Sequence, residues 1–149
     1  MIIIGIDPDL TASGFAVING RTIEQLQRVP FAEVVAWLTK QGSPQQLQVK
    51  IEEPNLIKPT FPRALPKAIN KQAVNDRISQ NVGQVKAVAT LLIETITAAG
   101  YQVKPCRPLM GGHKTRCKKD AAYFNKLTGW TGRSNEDCRD AALIALFGR

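Results

Sequence analysis

Residues 2–6 read IIIGI and run straight into a carboxylate, Asp7, with Pro8 and Asp9 behind it. A run this short and this apolar on both faces reads as a strand in the middle of a sheet, not as a helix. Burying an unpaired carboxylate at its end is costly, so Asp7 calls for a partner or a cation. The rest of the chain has to supply a sheet around the strand and charge around the acid.

The pattern that follows supplies the sheet. SGFAVI reads as a second strand, reached through a polar turn over 9–13. Asn19-Gly20 is a hairpin dipeptide, so RTIEQLQRV reads as a third, antiparallel strand. FAEVVAWLTKQG reads as a short amphipathic helix closed by Gly42. LQVKIEE reads as a fourth strand, and it too ends on acids, Glu52 and Glu53. Pro54, Pro59, Pro62 and Pro66 then exclude helix or central strand and predict a long functional loop. Val74, Ile78, Val82, Val85, Ala89, Leu92 and Ile96 step by three or four, the helical period, and Gly100 ends that helix. Gly83 sits inside it at a cost in stability, as if to allow close backbone approach to the sheet or to a ligand. YQVKPCRP reads as a fifth strand, and helices near 118–127 and 136–147 complete the chain. With no internal repeat and no linker, the 149 residues read as one domain, 1–149, large enough for a core without staples.

The order β-β-β-α-β-α-β-α-α predicts an α/β fold. Its sheet is mixed and five-stranded, three antiparallel meander strands plus two parallel crossover strands, with helices on both faces. Ligands in such sheets gather at the carboxyl ends of the strands. Asp7 and Glu52 both lie there. In the last helix Asn135 reads as the cap, with Glu136 and Asp137 in the first turn. Asp137 and Asp140 are three apart and share one face, which Ile144 continues inward. Asp7, Glu52, Asp137 and Asp140 are therefore the candidate catalytic and metal-binding set. Four carboxylates in one cleft do not all ionise without cations, and hard oxygen donors select Mg²⁺ or Mn²⁺. Two such ions suit phosphodiester hydrolysis.

Charge points the same way. Lys and Arg number 20 against 12 Asp and Glu, a net charge of +8. Residues 1–49 hold 3 basic and 4 acidic side chains; residues 50–149 hold 17 and 8. That asymmetry suggests a polyanion, nucleic acid first and an anionic membrane second. The candidate nucleic-acid contacts are Lys58, Arg63 and Lys67 in the proline-rich loop, and Lys114, Arg116, Lys118 and Lys119 further on.

Taken in order, IIIGIDPDLTASGFAVI, VKIEEPNL, SQNVGQVKAV and NEDCRDAALIAL resemble the RuvC-like Holliday junction resolvases over nearly the whole chain. The resemblance implies a ribonuclease H-like fold and two-metal hydrolysis of DNA by an attacking water, leaving a 5′-phosphate. It implies that Asp7, Glu52, Asp137 and Asp140 are the metal ligands, with Asp137 at the position that varies in the family and Glu53 as a rival to Glu52. It places Phe61 as an aromatic wedge against junction bases, and Lys118 and Lys119 near the scissile phosphate. The partner would be branched DNA, a four-way junction, cut by a homodimer because resolution needs two symmetric nicks. This chain departs from the pattern at Asp9, where the family usually has glycine.

Three rival readings belong to other substrates or classes. The first is another ribonuclease H-like nuclease acting on RNA·DNA hybrid or structured RNA. The second is a non-catalytic junction-binding protein. The third is a zinc site of Cys106, His113, Cys117 and Cys138, but their spacings match no common ligand pair. The start is too short and too soon acidic for a signal peptide, and three cysteines suit a reducing compartment, so a cytoplasmic, possibly phage-encoded protein is expected.

Overall fold

The computed structural model describes residues 1–57 and 70–149. Its strands are β1 (Ile2–Asp7), β2 (Ser13–Asn19), β3 (Thr22–Val29), β4 (Leu47–Glu52) and β5 (Gln102–Cys106). They form one five-stranded sheet in the order β3-β2-β1-β4-β5. The first three are antiparallel neighbours, while β1–β4 and β4–β5 are parallel. The meander-plus-crossover sheet expected from the sequence is the one observed. Gly20, with φ 62°, provides the left-handed residue that the hairpin between β2 and β3 requires.

Side chains alternate across a strand, and this decides what lies on each face. Ile4 and Ile6 of β1, Phe15 and Val17 of β2, and Leu47, Val49 and Ile51 of β4 point to one side. There they are covered by Val34, Trp37 and Leu38 of α1 (Val34–Gln41) and by Leu92 and Ile96 of α2 (Lys71–Ala98). The other side holds Ala16 and Ile18 of β2 and Ile23 of β3. They pack against Cys117 of α3 (Gly112–Lys119), Phe124 of α4 (Ala121–Thr128) and the alanine-rich α5 (Glu136–Phe147). Asp7 and Glu52 fall in the alternation that faces α5. Trp37 of α1 is buried in this core and donates to Gln27 at 3.0 Å.

Three local expectations are corrected. The helix expected near 118–127 is two helices, because Asp120 leaves helical geometry and caps α4 by accepting from the Tyr123 amide at 2.9 Å. The basic stretch before it is therefore helix α3, anchored by buried Cys117. The apolar stripe of α2 is buried only at Ala89, Leu92 and Ile96; its first half, with Val82 exposed, extends past the sheet. Gly83 meets no described atom within 4 Å of where a Cβ would stand, so it serves no close approach to the sheet.

The close approaches lie elsewhere. A Cβ on Gly5 would stand 2.0 Å from the Ala141 carbonyl oxygen, and one on Gly14 would stand 2.3 Å from the Asp137 carbonyl. Helix α5 thus lies directly on the backbone of β1 and β2. Gly5→Ala and Gly14→Ala are each expected to destabilise the protein by about 3 kcal/mol through overpacking. Gly83→Ala should be neutral or stabilising by up to ~1 kcal/mol. Urea unfolding of the three variants checks both directions.

Candidate active site

The site sits where β1, β4 and α5 meet. In register, Ile6 pairs with Ile51, so Asp7 and Glu52 end adjacent parallel strands on the same face. Helix α5 starts above them. Asn135 caps it by accepting from the Cys138 amide at 2.8 Å, which orients the first turn carrying Asp137, with Asp140 one turn further in. At the far end the Lys50 ammonium donates to the carbonyls of Ala145 and Gly148 at 3.2 and 3.1 Å. This lysine compensates the exposed carbonyl end of the helix.

Asp140 is 1% exposed. Its Oδ2 accepts from Lys118 Nζ at 3.0 Å, while Lys114 Nζ lies 3.7 Å from the same oxygen and 3.6 Å from Glu52 Oε2. Asp140 and Glu52 thus share one ammonium group. Lys114 and Lys118 are four apart on α3 and present the same face to the acids. The Asp7 carboxyl is held well above the usual carboxylate range, first by burial and then by the charges of Glu52 and Asp140. Burial likewise pushes the Glu52 carboxyl up, against the opposing pull of Lys114. Burial alone would lower the Lys118 ammonium, but its bond to Asp140 and the charges of Asp140, Asp7 and Glu136 together raise it.

Asp137 stands at the rim. Its Oδ2 is 3.4 Å from Arg28 Nε, and partial burial raises its carboxyl. Glu53 is turned away from the cluster. Its Oε1 accepts from the Asn55 amide and side chain at 2.9 and 2.7 Å, capping the short 3-10 turn Pro54–Leu56. Of the two adjacent acids, Glu52 is the one at the site. The structure therefore gathers Asp7, Glu52 and Asp140 with Lys114 and Lys118, and sets Asp137 beside them.

Among the described residues, no three acidic, histidine or cysteine side chains lie close enough to form a ready-made metal cage. The cage of four carboxylates expected from the order of the acids is not preassembled; two lysine ammonium groups lie among them. Two buried oxygens, Glu52 Oε2 and Asp140 Oδ1, have no hydrogen-bond partner. Orphaned, hard carboxylate oxygens in one cleft are the donors a Mg²⁺ or Mn²⁺ ion takes, so the residues fit such an ion.

The other candidates divide. Lys58, Phe61, Arg63 and Lys67 lie outside the described residues. Arg116 and Lys119 are on the exposed surface of α3, with the Arg116 guanidinium 4.0 Å from the centre of the Tyr123 ring. His113, expected in a loop, is on α3 and its Nδ1 lies 2.5 Å from the Tyr123 hydroxyl. Cys106, Cys117 and Cys138 are buried free thiols in the packing, as a core role predicts.

Two residues that contact the elements of the site escaped the sequence reading. Buried Arg139 donates through Nε to the Cys117 carbonyl at 2.8 Å, through Nη1 to the Ser134 carbonyl at 2.9 Å, and through Nη2 to the Lys118 carbonyl. It ties α3, and so Lys118, to α5. Arg28 reaches the site rim from β3. An arginine between two acids looks like a solvated surface residue, and a basic residue on an edge strand looks like strand protection, so neither carried a signal.

This mixed five-stranded sheet carries acids at the carboxyl ends of β1 and β4 and on the helix that covers them. The chain is similar over 98% of its length to RuvC of Thermus thermophilus in complex with Holliday junction substrate, with a TM-score of 0.52, 18% identity and 91% of that chain covered. A second Thermus thermophilus RuvC structure matches with a TM-score of 0.53, 18% identity and 92% of that chain covered. At this identity the likeness establishes the fold. No protein-family model and no curated protein sequence matches the chain.

A carboxyl raised on folding binds its proton more tightly in the folded state. It costs folding nothing below the ordinary carboxyl pKa near ~4, and the penalty grows as pH rises through the raised value. Asp7→Asn removes that penalty. In EDTA, the variant's stability advantage over the wild type should widen from pH 4.5 to pH 8, as read by urea unfolding.

Proposed function

We propose that this protein is a metal-dependent, structure-specific endodeoxyribonuclease that resolves four-way or other branched DNA junctions by paired phosphodiester hydrolysis. The observation that carries this is the convergence of Asp7, Glu52 and Asp140, two of them with orphaned buried oxygens, at the carboxyl ends of adjacent parallel strands. The resolvase fold, and the net charge of +8, support the reading.

Asp7, Glu52, Asp137 and Asp140 would hold Mg²⁺ or Mn²⁺, two ions per site. When bound, such ions polarise the phosphodiester and lower the pKa of the attacking water. The chain's own residues do the rest. Lys114 and Lys118, now paired with Glu52 and Asp140, are within reach of the same cleft and can donate to phosphate oxygens. Arg116 and Lys119 extend the positive surface of α3. Lys58, Arg63 and Lys67 of the proline-rich loop would contact the backbone, and Phe61 would stack on unpaired bases. Two active sites acting on opposed strands require a homodimer.

The test is nicking of a labelled, immobile four-way junction with Mg²⁺, beside linear duplex, flap and RNA·DNA hybrid. Paired symmetric nicks on the junction are expected. Asp7→Asn and Asp140→Asn should each lower the rate by at least ~10²–10³-fold, the loss when one preorganised charged group is removed, while junction binding survives. Cleavage of the hybrid instead would keep the site and move the substrate to RNA. Binding without cleavage of any substrate would leave a junction-binding protein.

Affinity for the junction should also fall steeply and log-linearly with salt, since phosphate contacts release counterions. Fluorescence anisotropy between 50 and 300 mM salt reads the slope, and a flat profile would contradict a phosphate-dominated interface.

A further inference from the structure

The turn after β1 carries an acid, Asp9, that the proposed chemistry does not use. It lies at the mouth of the site with Asp137, and its charge acts on that carboxyl. An additional carboxylate there repels a phosphodiester. The structure answers it with one side chain from β3.

Arg28 lies opposite Gly14 in the β2–β3 register. Its Nη2 donates to the Ala12 carbonyl at 3.1 Å and to Asp9 Oδ2 at 3.3 Å. Its Nε donates to the Ala12 carbonyl at 3.3 Å and lies 3.4 Å from Asp137 Oδ2. One planar guanidinium thus spans the turn, the edge strand and the first turn of α5. A lysine has a single head and does not make this fork. The turn itself is fixed beneath it, because buried Ser13 Oγ accepts from the Asp9 amide at 3.1 Å. The Arg28 and Asp9 side chains are 42% and 40% exposed. A pair so exposed contributes little to stability, so its placement at the site mouth has another use.

We infer that Arg28 is a positioning residue that offsets the extra charge of Asp9 beside Asp137 at the mouth of the site, so that a nucleic-acid backbone can approach the carboxylate cluster. Asp9 and Arg28 then work as a pair: the arginine matters because the extra acid is there. This rests on the nuclease reading above, and it adds a specific electrostatic gate on β3 and the β1–β2 turn.

The experiment measures junction affinity by fluorescence anisotropy in EDTA, where no cleavage occurs. It compares the wild type with Arg28→Gln, Asp9→Asn and the double variant, each first shown by circular dichroism to melt within a few degrees of the wild type. At 50 mM salt, Arg28→Gln should bind about fivefold more weakly, the effect of roughly one charge interaction in water. Adding Asp9→Asn to Arg28→Gln should restore affinity to within about twofold, because the uncancelled charge is gone. At 0.5 M salt, where the screening length is about 4 Å, the four proteins should converge. Equal binding by the wild type and Arg28→Gln at low salt would overturn the inference alone, as would failure of Asp9→Asn to rescue. A wild-type protein that binds no DNA would overturn the nuclease reading first, and this role of Arg28 with it.

Discussion

Helix α5 can lie on the sheet only because Gly5 and Gly14 carry no side chain. Their backbones meet the Ala141 and Asp137 carbonyls at distances that leave no room for a Cβ. That contact decides how high above the strands the helix rides. It also decides whether Asp140 reaches the level of Asp7 and Glu52 or stands a side chain's breadth away. The alanines of α5 belong to the same constraint, since Ala141, Ala142 and Ala145 are buried against the sheet. A larger residue at any of them would lift the acids along with the helix. The two ends are then fixed separately, by Asn135 at the amide end and by Lys50 at the carbonyl end.

Bringing the acids together creates an electrostatic problem that packing does not solve. Burial raises the Asp7, Glu52 and Asp137 carboxyls, and each neighbouring carboxylate adds to the effect at Asp7. The answer is positive charge delivered from elements other than those that carry the acids: Lys114 and Lys118 from α3, and Arg28 from the edge strand β3. The desolvation cost of a buried carboxylate is offset only when its partner comes within hydrogen-bond distance, and Lys118 on Asp140 meets that condition at 3.0 Å. Glu52 Oε2 and Asp140 Oδ1 remain without a hydrogen bond, although Lys114 Nζ stands 3.6 Å from the first of them.

Much of this was legible in the sequence, for reasons that are local. Strands with unbroken apolar runs, an Asn-Gly hairpin and the Asn135 cap are written in a few adjacent residues, and they carry the sheet order and the placement of Asp7, Glu52 and Asp140. What was not legible depends on pairs far apart in the chain. Gly5 read as one more strand residue until Ala141 was seen above it. The charged run 112–119 has little apolar period, so its helical state follows from Cys117 being buried against α5 and from Asp120 starting a new helix. For Gly83 the sheet half of the reading fails: a glycine in a helix suggests a close neighbour, and no described atom of the sheet supplies one. Asp137 was placed in the same set as Asp140 because three residues' spacing gives a shared face, though at the position that varies in the family. The face is shared, but Arg28 draws Asp137 to the rim.

Arg139 connects these observations. It stands between Cys138 and Asp140, so the turn of α5 that delivers the buried acid also delivers a buried guanidinium. That guanidinium holds the carbonyls of Cys117 and Lys118, the end of the helix that supplies the counter-charge. The end of α3 gains a cation where its carbonyls lack intrahelical partners, and Lys118 gains a fixed origin from which to reach Asp140. The acid and its neutralising lysine are thus positioned by neighbouring residues of a single helical turn.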